Sequence, residues 1–497
     1  MKSIKKNSTK KNFMYNIIYQ VLIVLFPFVT SPYISRVFGT EGLGIYSYRY
    51  SIANYFVIFA MLGLTTHGTR SIAIVRDDTQ KLSKTFSNLL STHLIVSISC
   101  ILIYYIYVFC FVSQNTQIAI IEGIYVLSAV FDINWFFFGI ERFDLTVTRN
   151  ITVKVLSIIA IFVFVKAKSD LWKYAAIMSI GFFLSQVIVW IYIKRYIKFV
   201  KPTVKEIIKN IKPLLILFIP VIAVSLYKLM DKIILGYMST MSEVGIFENA
   251  EKTNSIPLGV ITALGTVMLP KMSNLFANGN KKQSIEYINI SIQFVSLIAS
   301  ALTFGIMAVG IVFAPVFFGI DFTRSGDVII LLSPTILFIA WADVLRMQFL
   351  IPDKKDKVYI RSVIGGALVN LILNIVLIPK FGAMGSAIGT IGAEGTVFIM
   401  QAIGASKDLP LISYAKKCYP YIICGLMMYI TVSALRVRLN VSIISLVLEV
   451  LVGVIVYSSS VIIYWYMSRD NLGKMVYEII KKVSVNIFKK DIIVHES

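Results

Sequence analysis

Long apolar stretches alternate with short polar gaps along almost the whole of this chain. About 14 stretches have the length of roughly 20 residues that a helix needs to cross a bilayer. They fall near 12–35, 43–65, 86–109, 117–139, 145–165, 171–193, 213–238, 244–269, 287–314, 326–351, 358–379, 384–405, 417–435 and 441–467. The pattern predicts an all-α integral membrane protein, and the even count places both termini on one side. No gap between stretches exceeds roughly 20 residues, whereas a soluble catalytic domain needs at least ~50 to bury a core of its own. Whatever the chain does, it does within the membrane.

Charge then orients the helices. Lys and Arg collect in one alternating set of gaps: Lys2 to Lys11, Arg70 to Lys84, Lys194 to Lys212, Lys271 to Lys282, Lys354 to Lys357, Lys407 to Lys417, and the tail from Arg469 to Lys490. The gaps Cys110–Thr116 and Thr240–Val244 contain neither residue. Cation-rich gaps stay cytoplasmic, so both termini are expected in the cytoplasm and Thr240 outside. The basic residues 1–11 precede no small-residue cleavage site, so the first stretch is expected to be a retained helix.

Composition agrees with this class: 57% of the 497 residues are hydrophobic and 15% charged, with mean hydropathy +0.79. The net charge of +22 is scattered over loops that flank apolar helices, which suits anionic lipid head groups and gives no reason to expect nucleic acid. Cys100, Cys110, Cys418 and Cys424 have no His or second Cys at ligand spacing, and His67, His93 and His495 form no cluster. No phosphate-cradling Gly-rich loop ending in Lys occurs. Neither a metal nor a cofactor is therefore expected.

The longest basic gap separates six stretches from the following eight, and a motif recurs across it. Arg36-Val37-Phe38-Gly39 ends the first stretch and Gly44-Ile45-Tyr46 opens the second. Lys232 to Gly236 ends the seventh and Gly245-Ile246-Phe247 opens the eighth. Both hairpins run in the same sense, so the halves are expected to repeat in parallel, and repeated halves with a site at their interface mark secondary transporters.

Nine cations lie inside the apolar stretches: Arg49, Arg149, Lys154, Lys173, Lys228, Lys232, Lys252, Arg346 and Arg361. Each costs at least ~2.5 kcal/mol near a helix centre, so they must face one another, an acid, or a water-filled cavity. Asp343 with Arg346 and Glu248 with Lys252 are spaced to pair along a helix. Lys228 and Lys232 share a face, and Asp231 offsets one of them at most, which leaves a net positive stripe. With Arg36 and Arg49 in the first half, the excess cations point to an anionic substrate. Asp132 and Glu394 have no basic neighbour in sequence and are candidates for ion coupling, while Glu122 and Glu449 receive no role. Pro27 and Pro220, on corresponding helices, are expected hinges because proline breaks the helical ladder. Asn370 and Asn374 share one helix face, placed either to cap freed carbonyls or to contact sugar hydroxyls.

As a group these residues look familiar. Pro32-Tyr33-Ile34-Ser35-Arg36-Val37-Phe38-Gly39, Gly44-Ile45-Tyr46-Ser47-Tyr48 and Gly68-Thr69-Arg70 resemble the first half of bacterial polysaccharide flippases of the Wzx type. Ser225-Leu226-Tyr227, Asp231-Lys232, Asn249-Ala250-Glu251-Lys252 and Val267-Met268-Leu269-Pro270-Lys271 resemble the second half. The family belongs to the multidrug/oligosaccharidyl-lipid/polysaccharide (MOP) exporter superfamily, so the resemblance implies two six-helix lobes around a cationic cavity plus two C-terminal helices. On that division helices 1–6 occupy 1–197, a cytoplasmic linker 198–210, helices 7–12 residues 211–408, and the last two helices with a basic tail 409–497.

The resemblance also implies flipping of undecaprenyl-diphosphate-linked oligosaccharide repeat units across a bacterial cell membrane by alternating access, for capsule, O-antigen or exopolysaccharide assembly. The partners would be that substrate, membrane lipids, and the polymerase and glycosyltransferases of the same pathway. Arg36, Arg49, Lys228, Lys232, Lys252 and Arg346 are then expected to meet the diphosphate. One alternative is a drug or cation antiporter of the same superfamily, which should keep unpaired carboxylates in its first lobe. A membrane polymerase or glycosyltransferase would need a larger outer loop than any gap here provides.

Overall fold

The computed structural model describes residues 9–468 and 472–473, with side chains from 26 onward except at 220, 223, 227, 228, 260 and 263. Among these residues every regular element is helical. In the bilayer no water satisfies exposed backbone, and a helix bonds its own N–H and C=O groups. The elements are α1 (Thr9–Met61), α2 (Leu64–Val75), α3 (Thr79–Phe111), α4 (Thr116–Val130), α5 (Asn134–Gly139), α6 (Phe143–Phe164), α7 (Leu171–Ile188), α8 (Trp190–Ile193) and α9 (Val204–Met238). They continue as α10 (Met241–Ala277), α11 (Lys281–Phe318), α12 (Thr323–Leu332), α13 (Thr335–Leu345), α14 (Asp356–Phe381), α15 (Ala383–Ala405), α16 (Leu411–Arg436) and α17 (Ile443–Ser468).

Ten of the described helical segments are long and apolar enough to cross a membrane, and thirteen when each of three bent pairs is taken as one span. The expected count was about fourteen. The first two expected spans merge in α1, where Gly39 alone departs from helical geometry (φ 66°, ψ −171°). Only glycine takes that conformation without strain. The three bent pairs turn by 50° between Ile219 and Val224, 44° between Gly259 and Leu264, and 42° between Leu332 and Thr335. Pro220 falls in the first break, but its side chain lies outside the described residues.

Two compact units divide the chain: Met1–Asn249 with Phe317–Phe322 and Ala367–Thr390, and Ala250–Val316 with Thr323–Gly366 and Ile391–Ser497. In the first, Leu64, Ile72, Leu82, Phe86, Trp135, Phe136 and Phe137 form one core cluster, and Ala53, Ile101, Tyr104, Val108 and Val126 another. In the second, Ile288, Ile292, Ile336, Leu345 and Phe349 pack together, and Tyr421, Met428, Val432 and Tyr457 form a separate cluster. Helix faces turned away from these cores are equally apolar. On α3, Ile95, Ile98, Leu102, Ile106 and Phe109 are all exposed, as a lipid-facing surface should be.

Glycines set the closest helix contacts. A Cβ on Gly44 would run into the Met241 carbonyl, and one on Gly245 into the Thr40 carbonyl. The two Gly-Ile-aromatic triplets of the sequence repeat thus meet backbone to backbone. At the entry to α3, Asp78 accepts hydrogen bonds from the Gln80 and Lys81 amides at 3.0 Å, and these hold its carboxyl below the usual range.

Candidate functional site

The expected span 117–139 is interrupted, and the interruption positions a cavity. Phe131, Asp132 and Ile133 separate α4 from α5. Their freed carbonyls are not left bare: Trp190 Nε1 donates to Phe131 O at 2.9 Å and Trp135 Nε1 to Asp132 O at 3.1 Å. Asp132 itself accepts from the Asn134 amide at 2.9 Å and from Gln186 Nε2 at 3.3 Å. The ion-coupling candidate of the first half therefore also caps the start of α5.

Beside this break lies a cavity of about 500 Å³ in the first unit, walled by α1, α5, α6 and α7. One face of α6 supplies Arg149, Asn150, Val153, Lys154 and Ser157 at helical spacing. Arg149, only 6% exposed, donates from Nη2 to Asn150 Oδ1 at 2.6 Å and to Asn134 Oδ1 at 3.1 Å. Asn134 Nδ2 donates on to Gln186 Oε1 at 3.0 Å, and Ser185 Oγ to Asn150 Oδ1 at 2.8 Å. A guanidinium held this way has its fork aimed by neighbours and not by chance rotamers. Lys154 Nζ stands 5.5 Å from the Phe26 ring centroid, a cation–π distance. Phe26, Phe138, Ile158 and Phe182 make the rest of the wall apolar, and Pro27, the expected first-half hinge, lines it too.

The expected diphosphate ligands are placed elsewhere. Lys232 Nζ meets Glu248 Oε2 at 2.6 Å, and Ser47 Oγ donates to that same oxygen at 2.5 Å. Both members of the ion pair are nearly buried, with side chains 12% and 10% exposed. Asp231, the next residue, turns to other helices: Asn374 Nδ2 donates to it at 2.6 Å and Thr390 Oγ1 at 2.7 Å. Asn374 also donates to Asn370 Oδ1 at 3.1 Å, so the two asparagines adjoin a buried carboxylate. Arg36 is exposed and donates to the Pro32 carbonyl at 3.3 Å. Arg49 donates to the Gln114 carbonyl and lies 5.3 Å from the Tyr48 ring centroid.

In the second unit, Arg346 pairs with Asp343, one turn away, as their spacing led us to expect. Its guanidinium also lies 5.8 Å from the Tyr359 ring centroid. A Cβ on Gly265 would collide with the Asp343 carboxylate, so that glycine makes room for the pair. Lys252 is half-buried and Glu394 is 8% exposed. The side chain of Lys228 lies outside the described residues. Among the described residues no three His, Cys, Asp or Glu side chains gather as a metal site.

Arg149 and Lys154 are among the nine cations inside the apolar stretches, and their spacing alone assigns them no role. The available signal was the company they keep on α6: Asn150 and Ser157 share their face, and no acid follows Asp144 on that helix.

Comparisons with known proteins agree with this architecture. A family described as polysaccharide biosynthesis protein matches residues 9–276. A protein of Shigella dysenteriae named "Putative O-antigen transporter" is 24% identical over 407 residues, covering 79% of this chain and 100% of its own length. Its namesake in Escherichia coli (strain K12) is 24% identical over 394 residues, covering 78% of this chain and 94% of its own. Among solved structures, the lipid II flippase MurJ in an inward closed conformation superimposes with TM-score 0.73 at 16% identity, covering 93% of this chain and 100% of that one. An inward-facing MATE family multidrug transporter of the MOP superfamily reaches TM-score 0.60 at 14% identity, covering 80% and 99%. At these identities the solved structures share the fold and carry no cargo assignment with them.

Proposed function

Because the chain belongs to the polysaccharide biosynthesis protein family, we propose that it is a flippase for lipid-linked oligosaccharides. The cargo is an undecaprenyl-diphosphate-linked repeat unit, carried from the inner to the outer leaflet of a bacterial cell membrane by alternating access. The observation that carries this reading is the cavity in which Arg149, Lys154, Asn134, Asn150 and Gln186 converge against an aromatic and aliphatic wall. Cations suit a phosphate or acidic sugar, amides suit hydroxyls, and the apolar wall suits a lipid-borne substrate. No covalent bond need form or break.

Both termini are cytoplasmic in this reading, and two six-helix lobes, 1–197 and 211–408, rock about a shared interface. In this reading Arg36 and Arg49 serve the cargo at a different stage of the cycle from Arg149 and Lys154, while Lys232, paired with Glu248, braces the helices. Glycosyltransferases and a polymerase of the same pathway supply and consume the cargo. The test is a strain lacking the gene: lipid-linked repeat units should accumulate in the inner leaflet and be exported again when the gene is restored. Export that continues without the gene rules the reading out. Export of a lipophilic cation by purified protein in vesicles, with none of the glycolipid, would replace it with the antiporter.

A further inference from the structure

A second cavity, of about 400 Å³, lies in the other unit between α11, α16 and α17. Its wall is apolar, including Leu302, Ile306, Val309, Val432, Val450 and Val454. Two features set it apart from an ordinary packing gap.

The first is glycine without close packing. Gly305 on α11 and Gly453 on α17 both line the cavity. Glycine inside a helix is costly relative to alanine, and in this protein it usually lets another group approach. At Gly425 on α16, for example, a Cβ would overlap the Phe304 ring. A Cβ on Gly305 would meet nothing nearer than Met428 Cε at 3.7 Å, and one on Gly453 nothing nearer than Met428 Sδ at 3.5 Å. Neither helix contact requires these glycines. They keep a space open.

The second is Glu449. It faces the same cavity, is 0% exposed, and neither carboxylate oxygen has a hydrogen-bond partner among the described residues. A buried, unpartnered carboxylate is strongly unfavourable, so it calls for a donor that enters the cavity. Arg436, at the end of α16, donates to the carbonyl of Ala308 at 3.4 Å, and Ala308 lines the cavity. Glu449 lies in the second turn of α17, near the end of that helix that follows Arg436 along the chain.

We propose that this groove holds an acyl chain of a bilayer aminophospholipid, with the lipid's ammonium on Glu449 and its phosphate toward Arg436. An ammonium brings three donors to a carboxylate that lacks any. An anionic lipid, or the diphosphate end of a polyprenyl carrier, would instead be repelled by Glu449. The site shares no lining residue with the cavity assigned to cargo, and its test does not depend on that assignment.

Full-length protein purified in mild detergent is to be titrated with phosphatidylethanolamine and phosphatidylglycerol of matched chains, and bound lipid counted by native mass spectrometry. Wild type should retain phosphatidylethanolamine preferentially, and Glu449→Gln should lower that preference about tenfold through loss of a charge-assisted hydrogen bond. Gly453→Leu keeps the carboxylate but fills the groove, and should lose both lipids. It decides the matter if Glu449→Gln does not fold. Equal retention of the two lipids by wild type, an unchanged preference in Glu449→Gln, or full retention by Gly453→Leu would each overturn the proposal. So would displacement of bound lipid by an equal concentration of polyprenyl phosphate.

Discussion

Lys232 and Lys154 are both lysines inside apolar helices, yet their surroundings predict opposite phenotypes. Lys232 is ion-paired with Glu248 at 2.6 Å, and removing one member of a buried pair strands the other at a cost of about 3–5 kcal/mol. Lys232→Gln should therefore reduce protein abundance on immunoblots, and Lys232→Gln with Glu248→Gln should recover most of it. If the single variant accumulates normally yet exports nothing, Lys232 acts on cargo and not as a brace. Lys154 lines the 500 Å³ cavity beside the Phe26 ring. Lys154→Gln should lower export at least about tenfold, the worth of one charge-assisted contact, with abundance close to wild type. Abundance falling in step with export would remove Lys154 from the binding surface.

Among the elements, glycine decides which helices can touch. Gly44 and Gly245 allow the second part of α1 and the start of α10 to meet at backbone distance. Valine at either position has no route to relieve the clash, because the obstacle is a carbonyl and not a flexible side chain. Gly44→Val and Gly245→Val should each give protein that fails to accumulate as a monodisperse species in gel filtration, whereas Gly305→Ala should be tolerated. Gly39 is a separate case: its φ of 66° with ψ of −171° is a conformation nearly closed to other residues, so Gly39→Ala should cost about 1–3 kcal/mol, visible as a lower unfolding temperature. An unchanged melting profile in Gly39→Ala would mean that the break between the first two spans relaxes freely.

At the scale of the whole molecule, charge is expected to set both topology and driving force. Lys198 and Thr240 lie at opposite ends of the bent span Val204–Met238. In a Cys-free background, a cysteine at 240 should react with an impermeant maleimide on intact cells, and one at 198 only after permeabilisation. External labelling at 198 would invert the orientation. A diphosphate diester carries about two negative charges, and each crossing charge is worth ~2.3 kcal/mol per 100 mV. An inside-negative potential should thus favour outward movement, since the protein's own cations return on every cycle. In proteoliposomes, flipping that ignores a potassium diffusion potential but follows a Na⁺ or pH gradient would replace this drive with ion exchange, for which Asp132 and Glu394 are the first residues to vary.

Helical class, the approximate register of the spans and the family were all readable from sequence, because each rests on local facts. A stretch of apolar residues long enough for the bilayer has only the helix available to it, and motifs such as Arg36 to Gly39 and Gly44 to Tyr46 are contiguous. The partners of the buried charges were not readable. Spacing along one helix correctly suggested Asp343 with Arg346, where both residues share a face. It said nothing of Glu248 meeting Lys232, of Asn374 and Thr390 converging on Asp231, or of Arg149 being steered by Asn134 and Asn150. Apart from Arg149 with its neighbour Asn150, those contacts join different helices, 15 residues apart for Arg149 and Asn134 and more than a hundred for the partners of Asp231. In a protein whose lipid-facing and core-facing surfaces are equally apolar, hydrophobicity does not tell which face turns inward. Helix packing alone decided which charged groups meet one another and which line a cavity.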